Sequence, residues 1–216
     1  MRAVKGEMSI IIADDHPVVR AGLRQILVES GEIRRIAEAC DGQDLLEKLK
    51  KNRFDIILLD ITMPGRNGLE ILKELRVLYP SIPVLVLSVH PEEQYALRVI
   101  RSGAAGYLTK ETAPENLLEA VRRILGGKKY ITQEIAEILA ASLDERGGVA
   151  PHLRLSDREF ETFRMIALGK SLTDIAGEMF LNVKTISTYR RRILDKMNMK
   201  STAELVNYAV KNGLVS

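Results

Sequence analysis

The feature that most constrains this chain is a series of short apolar runs without polar alternation, each followed by a stretch with helical spacing. The runs are Ser9-Ile10-Ile11-Ile12-Ala13, a weaker one at Ile33-Arg34-Arg35-Ile36-Ala37, then Ile56-Ile57-Leu58-Leu59, Val84-Leu85-Val86-Leu87 and Gly106-Tyr107-Leu108. A strand with one wet face alternates apolar and polar residues, whereas an unbroken apolar run suits a parallel strand covered on both faces. Between the runs, Val18 to Glu29, Gln43 to Lys50, Leu69 to Tyr79, Glu92 to Ser102 and Pro114 to Leu125 carry apolar residues at three-and-four spacing. Pro17 and Pro114 stand at expected first turns, and Gly31 and Gly103 at expected helix ends. This predicts an α/β domain over residues 8–127, a doubly wound five-stranded parallel sheet.

In such sheets ligands bind beyond the carboxyl ends of the strands. Asp14 and Asp15 follow the first run, Asp60 ends the third, Ser88 ends the fourth, and Lys110 lies just past the fifth. Three clustered carboxylates repel one another, and a divalent cation resolves that repulsion. Oxygen donors that leave positions for water and phosphate are the preference of Mg2+. Asp60 is then the nucleophile of an aspartyl-phosphate, Asp14 and Asp15 hold the metal, and Lys110 and Ser88 contact the remaining phosphate oxygens. Strand-end aspartates also cap helices, but the joint placement of five such residues favours the metal and phosphoryl reading. Tyr107 taken alone reads as an edge aromatic with its hydroxyl in water. His16, beside Pro17 at a helix start, receives no catalytic role, while His90 is a candidate for tuning hydrolysis. Cys40 is the sole cysteine, which excludes an intramolecular disulfide or cysteine-rich zinc site, and it reads as a small buried hydrophobe.

Helical spacing persists from Ile131 to Leu143, and Asp144-Glu145-Arg146-Gly147-Gly148-Val149-Ala150-Pro151 breaks it. Residues 128–152 therefore read as a linker with a helix. Residues 153–216 read as all-helical, with starts near Ser156, Ser171, Asn182 and Ser201, and with a capping box at Ser156-Asp157-Arg158-Glu159. A short turn near Phe180-Leu181-Asn182 makes the second and third of these helices a helix-turn-helix. At about 100° per residue, Ile186, Ile193 and Met197 share one side of the third helix. Lys184, Thr188 and Arg191 lie opposite, flanked by Ser187 and Arg192, a basic and hydroxyl-rich face suited to a major groove. Charge agrees: residues 151–216 hold 11 basic against 7 acidic residues, while the whole chain carries only +3. No apolar run approaches membrane-span or signal-peptide character, so the expected location is cytoplasmic.

The segments Ala13-Asp14-Asp15-His16-Pro17, Leu59-Asp60-Ile61-Thr62-Met63-Pro64-Gly65, Leu87-Ser88 and Gly106-Tyr107-Leu108-Thr109-Lys110 resemble those of receiver domains. Glu111 stands where many receivers have proline, a departure shared by the NarL/FixJ subfamily. The likeness implies that the backbone carbonyl of Thr62 also ligates Mg2+ and that Tyr107 is a switch moving with Ser88. Leu155-Ser156-Asp157-Arg158-Glu159, Ile175-Ala176, Lys184-Thr185-Ile186-Ser187-Thr188-Tyr189 and Lys196-Met197 resemble LuxR-type helix-turn-helix domains. Many members carry Lys at the position of Ser187 and His at that of Tyr189, so a preferred DNA sequence does not transfer. Together these resemblances imply a two-component response regulator: a histidine kinase phosphorylates Asp60, and a homodimer, joined through Thr202 to Asn212, binds double-stranded promoter DNA. The expectation is a transcription regulator rather than an enzyme, although a receiver catalyses its own phosphotransfer and dephosphorylation. A haloacid dehalogenase-type phosphatase is disfavoured because it expects an acidic residue where Thr62 stands and a nucleophile after the first strand. Gly169-Lys170-Ser171 mimics a nucleotide-binding loop but has Arg164 in place of the earlier glycine. A ligand-sensing or phosphorylation-independent LuxR-type regulator is the remaining alternative.

Overall fold

The computed structural model describes residues 8–63, 68–89, 92–141 and 150–215. The chain divides into two compact units, the first ending at Ile135 and the second beginning at Ala136. In the first unit, β1 (Met8–Ala13), β2 (Ile33–Ala39), β3 (Ile56–Asp60), β4 (Val84–Ser88) and β5 (Gly106–Thr109) form one sheet in the order β2-β1-β3-β4-β5. All four pairings are parallel. The intervening helices are α1 (Pro17–Glu29), α2 (Gly42–Lys51), α3 (Gly68–Leu78), α4 (Glu92–Arg101) and α5 (Ala113–Leu125). Helix α6 (Gln133–Ala141) crosses the boundary between the units.

Parallel strands require crossovers, and the crossover helices dry both faces of the sheet. Ile10, Ile12, Leu58, Leu85, Leu87 and Leu108 pack with Leu23 and Leu27 of α1 and with Leu117, Ala120, Val121 and Ile124 of α5. Their strand neighbours Ile11, Ile57, Leu59, Val86 and Tyr107 point to the opposite face by the two-residue period and are wholly buried. Strand β2 is an edge, which explains its weak sequence signal: Arg34 and Arg35 are exposed because only part of it is covered. Pro17 opens α1 as expected, and Gly31 and Gly103 adopt φ of 68° and 96° where α1 and α4 stop. Gly106 meets a different demand, because a Cβ there would lie 2.9 Å from Tyr130, whose backbone bridges to it.

Cys40 is exposed, contrary to the buried hydrophobe expected. It follows the edge strand at the start of α2, and its sulfur lies 3.7 Å from carboxylate oxygens of Asp41 and Asp44. Partial desolvation of the thiol, together with the charges of those two carboxylates, pushes it above its ordinary value.

In the second unit a 3-10 turn (Pro151–Arg154) precedes α7 (Asp157–Ala167), α8 (Leu172–Glu178), α9 (Val183–Met197) and α10 (Thr202–Lys211). The capping box at Ser156 and Glu159 is formed, and Ser171 with Asp174 forms a second one. Phe160, Phe163, Ile175, Ile186, Ile193, Leu205 and Ala209 make a small buried core. Between α8 and α9, Phe180 takes a left-handed φ of 54°, which reverses the chain tightly enough to set the two helices as a helix-turn-helix. Most of the glycine-containing break, residues 142–149, lies outside the described residues, as do His90, Pro64 and Gly65.

Candidate functional site

The order β2-β1-β3 marks the place where successive strands reverse their lateral direction, and the acidic residues sit at its carboxyl edge. Asp14 and Asp60, leaving the adjacent strands β1 and β3, are fully buried, as is Ser88 at the end of β4. Lys110 arrives from beyond β5 and places Nζ 2.7 Å from Asp14 Oδ2 and 2.7 Å from Asp60 Oδ2. Backbone hydrogen bonds extend the sheet into the site: Asp14 N donates to Ala39 O, Ile61 N to Leu87 O, and Lys110 N to Ser88 O. The structure thus brings Asp14, Asp60 and Lys110 together and places Ser88 at the end of the neighbouring strand.

The loops hold the carboxylates in position. Asp60 Oδ1 accepts the Thr62 N–H at 2.9 Å, and Asp14 Oδ1 accepts the His16 N–H at 2.8 Å. Gly68 allows α3 to start against this loop, because a Cβ there would lie 2.5 Å from the Ile61 Cα. Behind the cluster, Arg20 of α1 donates from Nη1 to the Asp14 carbonyl at 2.7 Å and from Nε to Glu38 at 3.1 Å. Asp15 and His16 complete the rim, with one ligand-capable atom from each of Asp14, Asp15, His16 and Asp60 lying within 4.8 Å of the others. The sequence pattern pointed to neither Arg20 nor His16. For His16 the adjacency to Asp15 was the available signal; for Arg20 there was none, since its contact arises only when α1 folds back over β1 and β2.

Burial pushes the Asp60 carboxyl above its ordinary range, against the opposing pull of Lys110 and the Thr62 N–H, and the charge of Asp14 adds to the rise. For Lys110 burial acts downward, but hydrogen bonds and charge from Asp14 and Asp60 outweigh it and hold the ammonium above its ordinary value. Both directions describe a dry, anionic pocket in which, among the described residues, Lys110 pairs with Asp14 and Asp60. Such a pocket gains from further positive charge.

Tyr107 is wholly buried on β5, opposite Val86, which overturns its reading as an edge aromatic with a solvated hydroxyl. The cause is that β5, although last in the sheet, is covered by α4.

On α9, Ile186, Ile193 and Met197 are buried and Lys184, Ser187, Arg191 and Arg192 are exposed, as the wheel requires. Thr188 is half-buried and donates its hydroxyl to the Lys184 carbonyl at 2.9 Å. Asn182 caps the helix through the Lys184 N–H. Two further basic residues serve the fold: Arg190 donates to Thr202 Oγ1 at 3.0 and 2.8 Å, and Lys196 pairs with Glu159 at 2.6 Å. Among the described residues Lys184, Arg191 and Arg192 make no side-chain ion pair, so their charge faces outward.

Comparison with known proteins follows this division. Residues 10–122 match the family described as response regulator receiver domain, and residues 153–209 match bacterial regulatory proteins, luxR family. Response regulator UvrY of Escherichia coli (strain K12) is 34% identical over 208 residues, which span 96% of this chain and 95% of that one. Oxygen regulatory protein NreC of Staphylococcus epidermidis (strain ATCC 35984) is 36% identical over 216 residues, spanning 96% of this chain and 99% of that one. A solved structure of RcsB from Salmonella enterica serovar Typhimurium, bound to promoter rprA in the presence of phosphomimetic BeF3-, matches with a TM-score of 0.67 at 28% identity, covering 94% of this chain and 98% of that chain.

Proposed function

The chain belongs to the response regulators that join a receiver domain to a LuxR-type DNA-binding domain, and from that premise we propose that Asp60 accepts a phosphoryl group from a partner histidine kinase. It is a DNA-binding transcription regulator. The observation that carries the phosphoacceptor assignment is the pairing of fully buried Asp60 at the end of β3 with Lys110 Nζ at 2.7 Å.

An Asp60 carboxylate oxygen attacks phosphorus, the phosphorus–nitrogen bond of the donor phosphohistidine breaks, and that electron pair returns to the imidazole. Lys110 moves from its carboxylates to a phosphoryl oxygen, and the Ser88 hydroxyl donates to another. Tyr107 turns with Ser88 as the switch. The residues fit a divalent cation: the donors are oxygens, and the buried carboxylates of Asp14 and Asp60 share the Lys110 ammonium, which leaves their negative charge in excess. Asp15, Asp60, Asp14 and the Thr62 carbonyl would hold Mg2+, which supplies charge neutralisation of the transferring oxygens. Among the described residues no helix is long and apolar enough to cross a membrane.

For output, Lys184, Ser187, Thr188, Arg191 and Arg192 of α9 meet the major groove. RcsB bound to a promoter in the presence of a phosphoryl mimic supports both halves of this reading. A homodimer forms through α10, whose Leu205 and Ala209 belong to the core while Val210 stays 60% exposed. Intact mass after incubation with Mg2+ and a small phosphoryl donor tests the receiver chemistry. Gain of one phosphoryl group by the parent, and none by Asp60→Asn or with a chelator, is the expected result. Equal gain by Asp60→Asn would refute the assignment. No gain by a folded parent would favour a phosphorylation-independent regulator.

A further inference from the structure

The sequence gives His16 no catalytic role, yet the fold sets its ring against the acidic cluster. His16 is the residue before α1, with an extended backbone (φ −88°, ψ 109°). Ring Nδ1 lies 2.9 Å from Asp15 Oδ1 and 3.2 Å from Asp14 Oδ1. Two donors on opposite sides of one ion at about 2.1 Å are roughly 4.2 Å apart, so four donors need contract only slightly from their present span to share an ion. That span is 4.8 Å across Asp14, Asp15, His16 and Asp60. In the same cluster the buried Asp14 Oδ2 and Asp60 Oδ2 share the Lys110 ammonium at 2.7 Å each, which leaves an excess of negative charge for an ion to offset. The imidazole is 58% exposed and can turn toward an ion without disturbing the core.

We propose that His16 adds a nitrogen donor to the carboxylates, so that the pocket takes borderline transition ions such as Ni2+ or Zn2+ more tightly than Mg2+. The reason is donor chemistry: Mg2+ prefers oxygen and keeps its waters, whereas imidazole suits Ni2+ and Zn2+, which also stand above the weaker-binding ions in the divalent affinity order. His16 is thus a residue of metal selectivity, and a trace transition ion competes with Mg2+ for the carboxylates that surround Asp60. The proposal rests on the reading of the acidic cluster as the Mg2+ site.

The test is calorimetric titration of Ni2+ and, separately, Mg2+ into the full chain, its His16→Ala and His16→Gln variants, and Asp15→Asn. The chain has two other histidines, His90 and His152, which contribute equally to the parent and the His16 variants. The expected result is a Ni2+ dissociation constant raised at least tenfold in both His16 variants, with that for Mg2+ within twofold of the parent, and excess Mg2+ weakening the His16-dependent Ni2+ step. Unchanged Ni2+ affinity would overturn the proposal. So would equal weakening of both ions, since His16 would then act by holding the carboxylates. Failure of the underlying reading has its own signature: Mg2+ binding as tight in Asp15→Asn as in the parent, with any His16-dependent Ni2+ step insensitive to Mg2+.

Discussion

Arg190 and Arg191 are neighbours on α9 and chemically alike, yet the fold gives them different work. Arg190 is tied to Thr202 at the start of α10, while Arg191 faces outward. Arg190→Ala should lower the stability of the second unit by about 1.5 kcal/mol, the lower end of the range for hydrogen bonds to a charged group because the place is half-buried, as thermal unfolding would show. Arg191→Ala should leave stability unchanged and weaken binding to a specific DNA site by about 1–3 kcal/mol if it reads a base, a loss visible in competition between DNA sites. Equal affinity across sites in parent and Arg191→Ala would remove it from the reading face. In the receiver, Arg20 holds the Asp14 carbonyl at 2.7 Å. Arg20→Met should therefore raise the Mg2+ concentration needed for half-maximal phosphorylation several-fold while leaving the rate at saturating Mg2+ close to that of the parent; a lower saturated rate would place Arg20 in the chemistry itself.

At the level of elements, the second unit depends on ties between short helices, because α7 to α10 enclose only a small core. Glu159 makes one such tie: it caps α7 through the Ser156 N–H and reaches Lys196 on α9 at 2.6 Å. Burial acts to raise its pKa, but the Lys196 ammonium and the Ser156 donors prevail and hold it below its ordinary value of 4.5. A group lowered in the folded state contributes stability that is fully present above the unfolded value and is lost as pH falls through the folded one. The stability advantage of the parent over Glu159→Gln should thus be constant above about pH 5 and shrink on acidification below 4.5. An advantage that persisted undiminished well below that value would show that the contact acts by packing rather than charge.

At the level of the whole molecule, a phosphoryl group at Asp60 acts on output only through a difference in free energy between receiver conformations. Phosphorylated parent should shift toward dimer in sedimentation at a concentration where Asp60→Asn, treated alike, does not; identical sedimentation would separate the chemistry from assembly. Much of this organisation was legible in the chain itself. Unbroken apolar runs define buried parallel strands because polar residues cannot occupy either face, and the positions of Asp14, Asp60, Ser88 and Lys110 at run ends follow from the same logic, since only there does a buried strand meet space for a ligand. The stripe Ile186, Ile193 and Met197 likewise fixed the outward face of α9. Periodicity carries no information about contacts between distant elements, so the exposure of Cys40, the burial of Tyr107, the reach of Lys110 across two strands, the use of Arg190 for the fold and the grip of Arg20 on Asp14 were decided only by tertiary structure. Local spacing determines which residues share a face, whereas burial and pairing depend on what another part of the chain brings to that face.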